Sequence, residues 1–223
     1  MTGAGQRGLP PFVMESLKMR KIAILAAIAG AVAIPVIAQM PTTAPGAHDP
    51  SRVKAGTYAV DGGHTQILFE VNHLGFSDYF GIFGEPTGTL VIDPAKPAAS
   101  QVSIEIPIGK VVTTSAKLNE HLLGADFFDA AKFPTATFKS TGVTVKGHEA
   151  TITGNLTIKG ITKPVVLEAE FVGAGPGPMN KKLNVGFKAE TKIKRSDFGV
   201  SYGIPLVPDE VELKINAAFE QTS

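Results

Sequence analysis

The sequence predicts an all-β fold with a minor α component: an extended antiparallel β-barrel of eight strands, with a short helix and an aromatic loop between strands. Three observations lead there. Beyond residue 57, apolar and polar residues alternate at period two through segment after segment, the mark of strands with one dry and one wet face. The clearest segments run about 10 to 12 residues, roughly 33 to 40 Å of extended chain, more than a packed two-sheet core requires. The chain also carries 24 glycines and 16 prolines, many of them between the segments, where reversals are needed. Long amphipathic antiparallel strands leave exposed edges, and closure into a barrel removes them.

The elements follow in order. Met19-Arg20-Lys21 precedes an apolar run from Ile22 to Ile34, and Val36 and Ala38 sit at −3 and −1 of a cut before Gln39. This is the layout of a cleavable signal peptide, and the run is short for a membrane span. Residues 1–38 are therefore expected to be an upstream extension plus export signal, giving an exported mature protein with no stable membrane insertion after cleavage. Residues 39–56, rich in Pro, Thr and Ala without periodicity, are expected to be a flexible linker. The barrel domain is expected over 57–223.

Within it, Ile67, Phe69 and Val71 begin the inward stripe. Gly88, Leu90 and Ile92 continue it, then Val102, Ile104, Ile106 and Ile108. Thr113 or Thr114 is placed to cap a helix through Leu118, Leu122 and Leu123 that Gly124 ends. The loop Asp126-Phe127-Phe128-Asp129 follows. Ala136 and Phe138, then Ile152, Gly154, Leu156 and Ile158, then Val165, Leu167, Ala169 and Phe171 resume the alternation. The two clearest strands run from Leu183 through Phe187 to Ile193 and from Val211 to Phe219.

Composition narrows function. The 223 residues carry a net charge of +1. Removing residues 1–38 takes away Arg7, Lys18, Arg20, Lys21 and Glu15 and leaves −2. That balance argues against general affinity for nucleic acid. There is no cysteine, so an exported form relies on packing and not on disulfides. The five histidines show no HxH or HExxH spacing, and no metal or other cofactor is expected. No G-x-S-x-G elbow and no phosphate-binding glycine loop is present. Nothing points to catalysis.

Several stretches carry a family resemblance. They are Tyr58-Ala-Val-Asp61 with Gly63-His64-Thr65, Phe69-Glu-Val-Asn-His73-Leu-Gly75, Gly81-Ile-Phe83 and His121-Leu-Leu-Gly-Ala-Asp-Phe-Phe-Asp129. Phe133-Pro134 with Thr137 to Thr141, Gly154 to Pro164, and Arg195-Ser-Asp-Phe-Gly199 complete the set in order. From about Tyr58 to Glu220 the chain resembles the YceI-like family of periplasmic proteins. Asp209-Glu210-Val211 is more charged than that pattern. The resemblance implies a lipocalin-like barrel around a long apolar tunnel that holds an isoprenoid, such as a quinone or polyprenyl chain, or a fatty-acyl amphiphile. It implies a binding protein and not an enzyme.

The candidate tunnel wall is Ile67, Phe69, Val71, Phe80, Phe83, Leu90, Ile92, Ile104 and Ile106 from the first half. Phe127, Phe128, Phe138, Gly154, Leu156, Ile158, Leu167, Phe171, Phe187 and Phe198 come from the second. Gly88, Gly154 and Ala189 are expected to leave gaps for a chain-like guest. His64, His73 and Arg195 are candidate head-group contacts, although Arg195 with Asp197 also fits a structural pair after a strand. A filled, structural or stress-related barrel and a lipid-modifying enzyme using His73 are the competing functions. A homodimer is left open, since no coiled coil or large apolar helix speaks for or against one.

Overall fold

A computed structural model describes residues 42–222. The expected export signal and its upstream extension lie outside the described residues. The chain forms β1 (Gly56–Val60), β2 (Gln66–His73), β3 (Ser77–Phe83), β4 (Thr87–Ile92), β5 (Gln101–Pro107) and β6 (Val111–Val112). Helix α1 (Ala116–Leu123) follows, then β7 (Thr135–Lys146), β8 (Glu149–Ile158), β9 (Ile161–Pro176), β10 (Leu183–Lys194) and β11 (Glu210–Gln221).

These eleven segments make eight long strands, because three of the strands are kinked. β1 and β2 both pair with β11, through Tyr58↔Gln221 and Glu70↔Glu212. Their partners across the next hairpin are β4 and β3, and β5 and β6 pair with those in turn. The result is an antiparallel meander of eight strands that closes on itself through β11 into a barrel. At the first kink the ladder to β11 is completed by other groups. Ala218 N–H donates to Thr65 Oγ1 at 3.0 Å, and Asp61 N–H donates to Ala218 O at 2.8 Å. A buried backbone group left unpaired would be costly, so the kink persists only because these groups take the place of the ladder.

β6 pairs with β3, and α1 and the aromatic loop lie in the connection from β6 to β7. Leu122 joins Ile67, Phe83, Ile108, Val111 and Ala136 in one buried cluster, with Phe127 and Phe128 packed against it. The N-cap of helix α1 is Ser115, one residue past Thr114, the second of the two expected threonine caps. Ser115 accepts from Leu118 N–H, while Thr113 Oγ1 bonds the Asn119 side chain and the Ser115 backbone. Ser115 wins because its backbone is extended at the boundary (φ −121°, ψ 112°), as an N-cap requires. Gly124 ends the helix, as expected.

The described part of the stretch expected as a flexible linker, residues 42–56, is a second departure. Residues 50–52 form a short 3-10 turn whose N-cap is Asp49, and Ala47 bridges Ala174 of β9. Backbone pairing with a sheet edge holds this stretch to the barrel.

Candidate ligand cavity

Two chambers lie inside the barrel. The larger has a volume of about 430 Å³ and the smaller about 140 Å³. The first lies within the range of ordinary ligand sites. Ile67, Ile106, Leu156 and Leu213 line both and lie between them. Each strand contributes alternate residues, since successive side chains point to opposite faces of a sheet.

Most of the expected wall lies on these chambers. Leu90, Ile92, Ile104, Phe138, Leu167, Phe171 and Phe187 face the larger one. Phe69, Val71, Phe83, Phe127, Phe128, Ile158 and Phe198 face the smaller. The charged residues bordering the larger chamber are Glu149 and Glu170, both exposed near the β7–β8 turn, with His148 beside them. β11 supplies wall residues that were not singled out as site residues, Leu213, Ile215, Ala217 and Phe219. Their period-two stripe carried the signal.

Six expectations need correction. Phe80 is 48% exposed and points outward, opposite Glu70 in the ladder, because it differs in parity from Phe83. Gly154 leaves no gap: a Cβ there would stand 2.3 Å from the Phe138 ring and 2.8 Å from Lys139 O, so the ring of the neighbouring strand already covers the space. Gly88 leaves none either. Its φ is +140°, and a Cβ would meet Ser103 O at 2.0 Å, so the position demands glycine for the backbone's sake. Of the three small residues, Ala189 alone lines the larger chamber.

The expected head-group contacts are the remaining corrections. His64 lies in the turn after β1, its side chain 79% exposed and its Nδ1 2.6 Å from Asp61. His73 sits at the exposed end of β2, with its ring 6.3 Å from that of Tyr79. Neither lines a chamber. Arg195 does border the smaller chamber, yet its guanidinium is spent on the backbone. Nε donates to Pro208 O at 2.9 Å, Nη1 to Val200 O and Tyr202 O, and Nη2 to Val207 O at 2.8 Å. Burial lowers its pKa from the ordinary value, partly offset by the nearby Asp209 carboxylate. In place of the expected pair with Asp197, the guanidinium thus serves four carbonyls. Asp209 instead accepts from Ser196 N–H at 2.8 Å and Ser196 Oγ at 2.7 Å, and these bonds hold its carboxyl below its ordinary pKa.

Among the described residues, no group of three or more His, Cys, Asp or Glu side chains is arranged to hold a metal ion. No helix among them is long and apolar enough to cross a membrane.

A closed antiparallel barrel built around two apolar chambers defines a class of cavity-bearing barrels. Within that class the family is specific: the family model described as the YceI-like domain matches residues 58–219, and the chain belongs to that family. Protein YceI of Salmonella arizonae is 43% identical over 164 residues, covering 73% of this chain and 85% of the relative. The crystal structure of Burkholderia cenocepacia BcnA is similar, with a TM-score of 0.64 and 27% identity over 71% of this chain and 98% of that one. A polyisoprenoid binding domain from Saccharophagus degradans shares the fold, with a TM-score of 0.55 at 14% identity over 76% and 100% of the two chains.

Proposed function

We propose that the protein is a periplasmic binding or carrier protein that holds an isoprenoid, of quinone or polyprenyl type, or a fatty-acyl amphiphile within the barrel. The observation that carries this reading is the pair of apolar chambers that share Ile67, Ile106, Leu156 and Leu213 as lining residues. A filled structural core would leave no such volume, since protein interiors pack with few voids larger than a water molecule. Burying each CH₂ of a guest is worth roughly 0.8 kcal/mol, so a chain of modest length needs no charged partner. The polyisoprenoid binding named for the S. degradans domain supports the same ligand class. Export follows from the signal-like residues 19–38.

The test is native purification from a bacterial periplasm followed by organic extraction and mass spectrometry. A stoichiometric isoprenoid or fatty-acyl species is expected, on a chain that begins near Gln39. Repeated recovery of empty protein, together with failure to take up added polyprenol, fatty acid or quinone, would overturn the reading.

A further inference from the structure

The segment ahead of the barrel is tied to the rim of the larger chamber. β9 outruns its neighbour β8: their pairing stops at Glu149↔Glu170, and β9 continues to Pro176. β10 pairs with one side of this overhang, leaving the other as an open sheet edge. Residues 45–53 lie along that open edge. Ala47 N–H donates to Ala174 O at 3.0 Å, and Ala174 N–H donates to Ala47 O at 2.9 Å.

Side chains extend the attachment. β9 bulges at Val172, between the pairs Gly186↔Gly173 and Phe187↔Phe171. The Val172 carbonyl lies 3.2 Å from His48 Nδ1. His48 Nε2 lies 2.6 Å from His148 Nδ1 in the β7–β8 turn, so one ring donates and the other accepts. The His148 carbonyl in turn accepts from Phe171 N–H at 2.8 Å, and the Phe171 ring stands 5.7 Å from the His48 ring.

The barrel is also shaped to receive this segment. A Cβ at Gly175 would stand 2.1 Å from Pro45 O, and one at Gly173 would stand 3.1 Å from Ala47 O. Neither glycine has a positive φ, so what the position demands is space. On the inner side, Pro50 and Val53 join the chamber wall together with Leu90 and Phe171. All of residues 45–53 precede the stretch that the family model matches.

We propose that residues 45–53 form a strap at the mouth of the larger chamber that controls how fast an apolar chain enters and leaves, with the His48–His148 bond as its latch. The proposal rests on the ligand reading above for the identity of the guest, but not for the motion of the strap. Plain edge cover is the competing role. It accounts for the Ala47 pairing, though not for two wall residues and a latch to a different hairpin.

The chain has no cysteine, so Ala189→Cys places a single thiol on the wall of the larger chamber. Its labelling rate with a small apolar maleimide reads access whether or not a lipid binds. Gly175→Ala pushes on Pro45 and His148→Ala removes the latch. In either background, labelling is expected to be about three- to tenfold faster, the factor that losing roughly one net hydrogen bond corresponds to. Melting temperature should change by only a few degrees. Should Gly175→Ala fail to fold, the exposed His148→Ala variant carries the same comparison. Equal labelling rates in folded variants and parent would overturn the strap. Adding a palmitoyl or geranylgeraniol probe separates the two readings. Protection of the thiol supports the ligand, while its absence in every background counts against the ligand and leaves the labelling ratio to decide the strap.

Discussion

The two ends of the barrel are closed by different physics. At the small-chamber end, the crossing from β10 to β11 is fastened by Arg195, 8% exposed, whose guanidinium serves four backbone carbonyls. Phe198, 2% exposed, packs beneath it on Phe138 and Leu156. At the large-chamber end, the strap is held by exposed imidazoles and one backbone pair. Buried charge-assisted bonds are costly to break, whereas exposed ones compete with water and contribute little. One end is therefore built to stay shut and the other to open.

The sharpest way to break this contrast is Arg195→Met. It leaves four carbonyls without their donor, and about 3–5 kcal/mol of stability should be lost. For a domain of this size that is a fall of about 10 °C in melting temperature. His148→Ala at the other end should shift urea unfolding by less than about 1 kcal/mol. If the two variants unfold at similar urea concentrations, the distinction between the ends fails.

A second pair sharpens the difference between apparent and real space on the wall. Gly154→Phe meets the Phe138 ring and should cost about 1–3 kcal/mol or more through overpacking. Ala189→Phe projects into the larger chamber, so it should fold with little loss while taking up less palmitoyl probe. Thermal melts and probe titrations on the same preparations check both. A destabilised Ala189→Phe with probe uptake intact would show that the chamber is not where ligand sits.

The barrel was legible because period two is a local property: each strand declares its dry face without reference to its neighbours. The kinks at 61–65 and 84–86 were less visible, since Thr65 and Pro86 are buried by partners far away in sequence. What covers Gly154 is likewise a fact of pairing, as Phe138 reaches it only through the β7–β8 register. The strap was missed for the same reason. A Pro- and Ala-rich stretch has no periodicity, and its partners are the glycines of β9. Phe80 is different, because the sequence itself held the answer: residues three apart in a strand cannot share a face.

Asp209 tests the closed end with a smaller effect. Its carboxylate accepts two bonds from Ser196 and sits below its ordinary pKa of 3.8. A group whose folded pKa is depressed contributes stability above its unfolded value and loses it as pH falls through the folded value. Asp209→Asn should therefore cost about 1 kcal/mol at neutral pH, discounted for partial exposure. The gap between parent and variant should shrink as the pH drops below 3.8. Urea unfolding at pH 7 and under acid conditions measures it, and a gap that widens in acid contradicts the assignment.

The smallest effect expected is at Phe80, and it separates the two faces of a single strand. β3 sends Phe83 into the smaller chamber, where its ring packs edge-on to Phe128 at 5.4 Å, and sends Phe80 outward with 48% exposure. Phe83→Ala opens a cavity among buried neighbours and should cost about 3–5 kcal/mol. Phe80→Ser removes a ring that is already 48% exposed, and its change should stay within about 1 kcal/mol, as for most surface substitutions. Probe affinity should be unaltered, because the side chain is on the far side of the sheet from both chambers. A Phe80→Ser protein that folds but releases its probe faster would mean that the outer face of β3 takes part in handling the ligand, and the division of labour between the two ends would have to be redrawn.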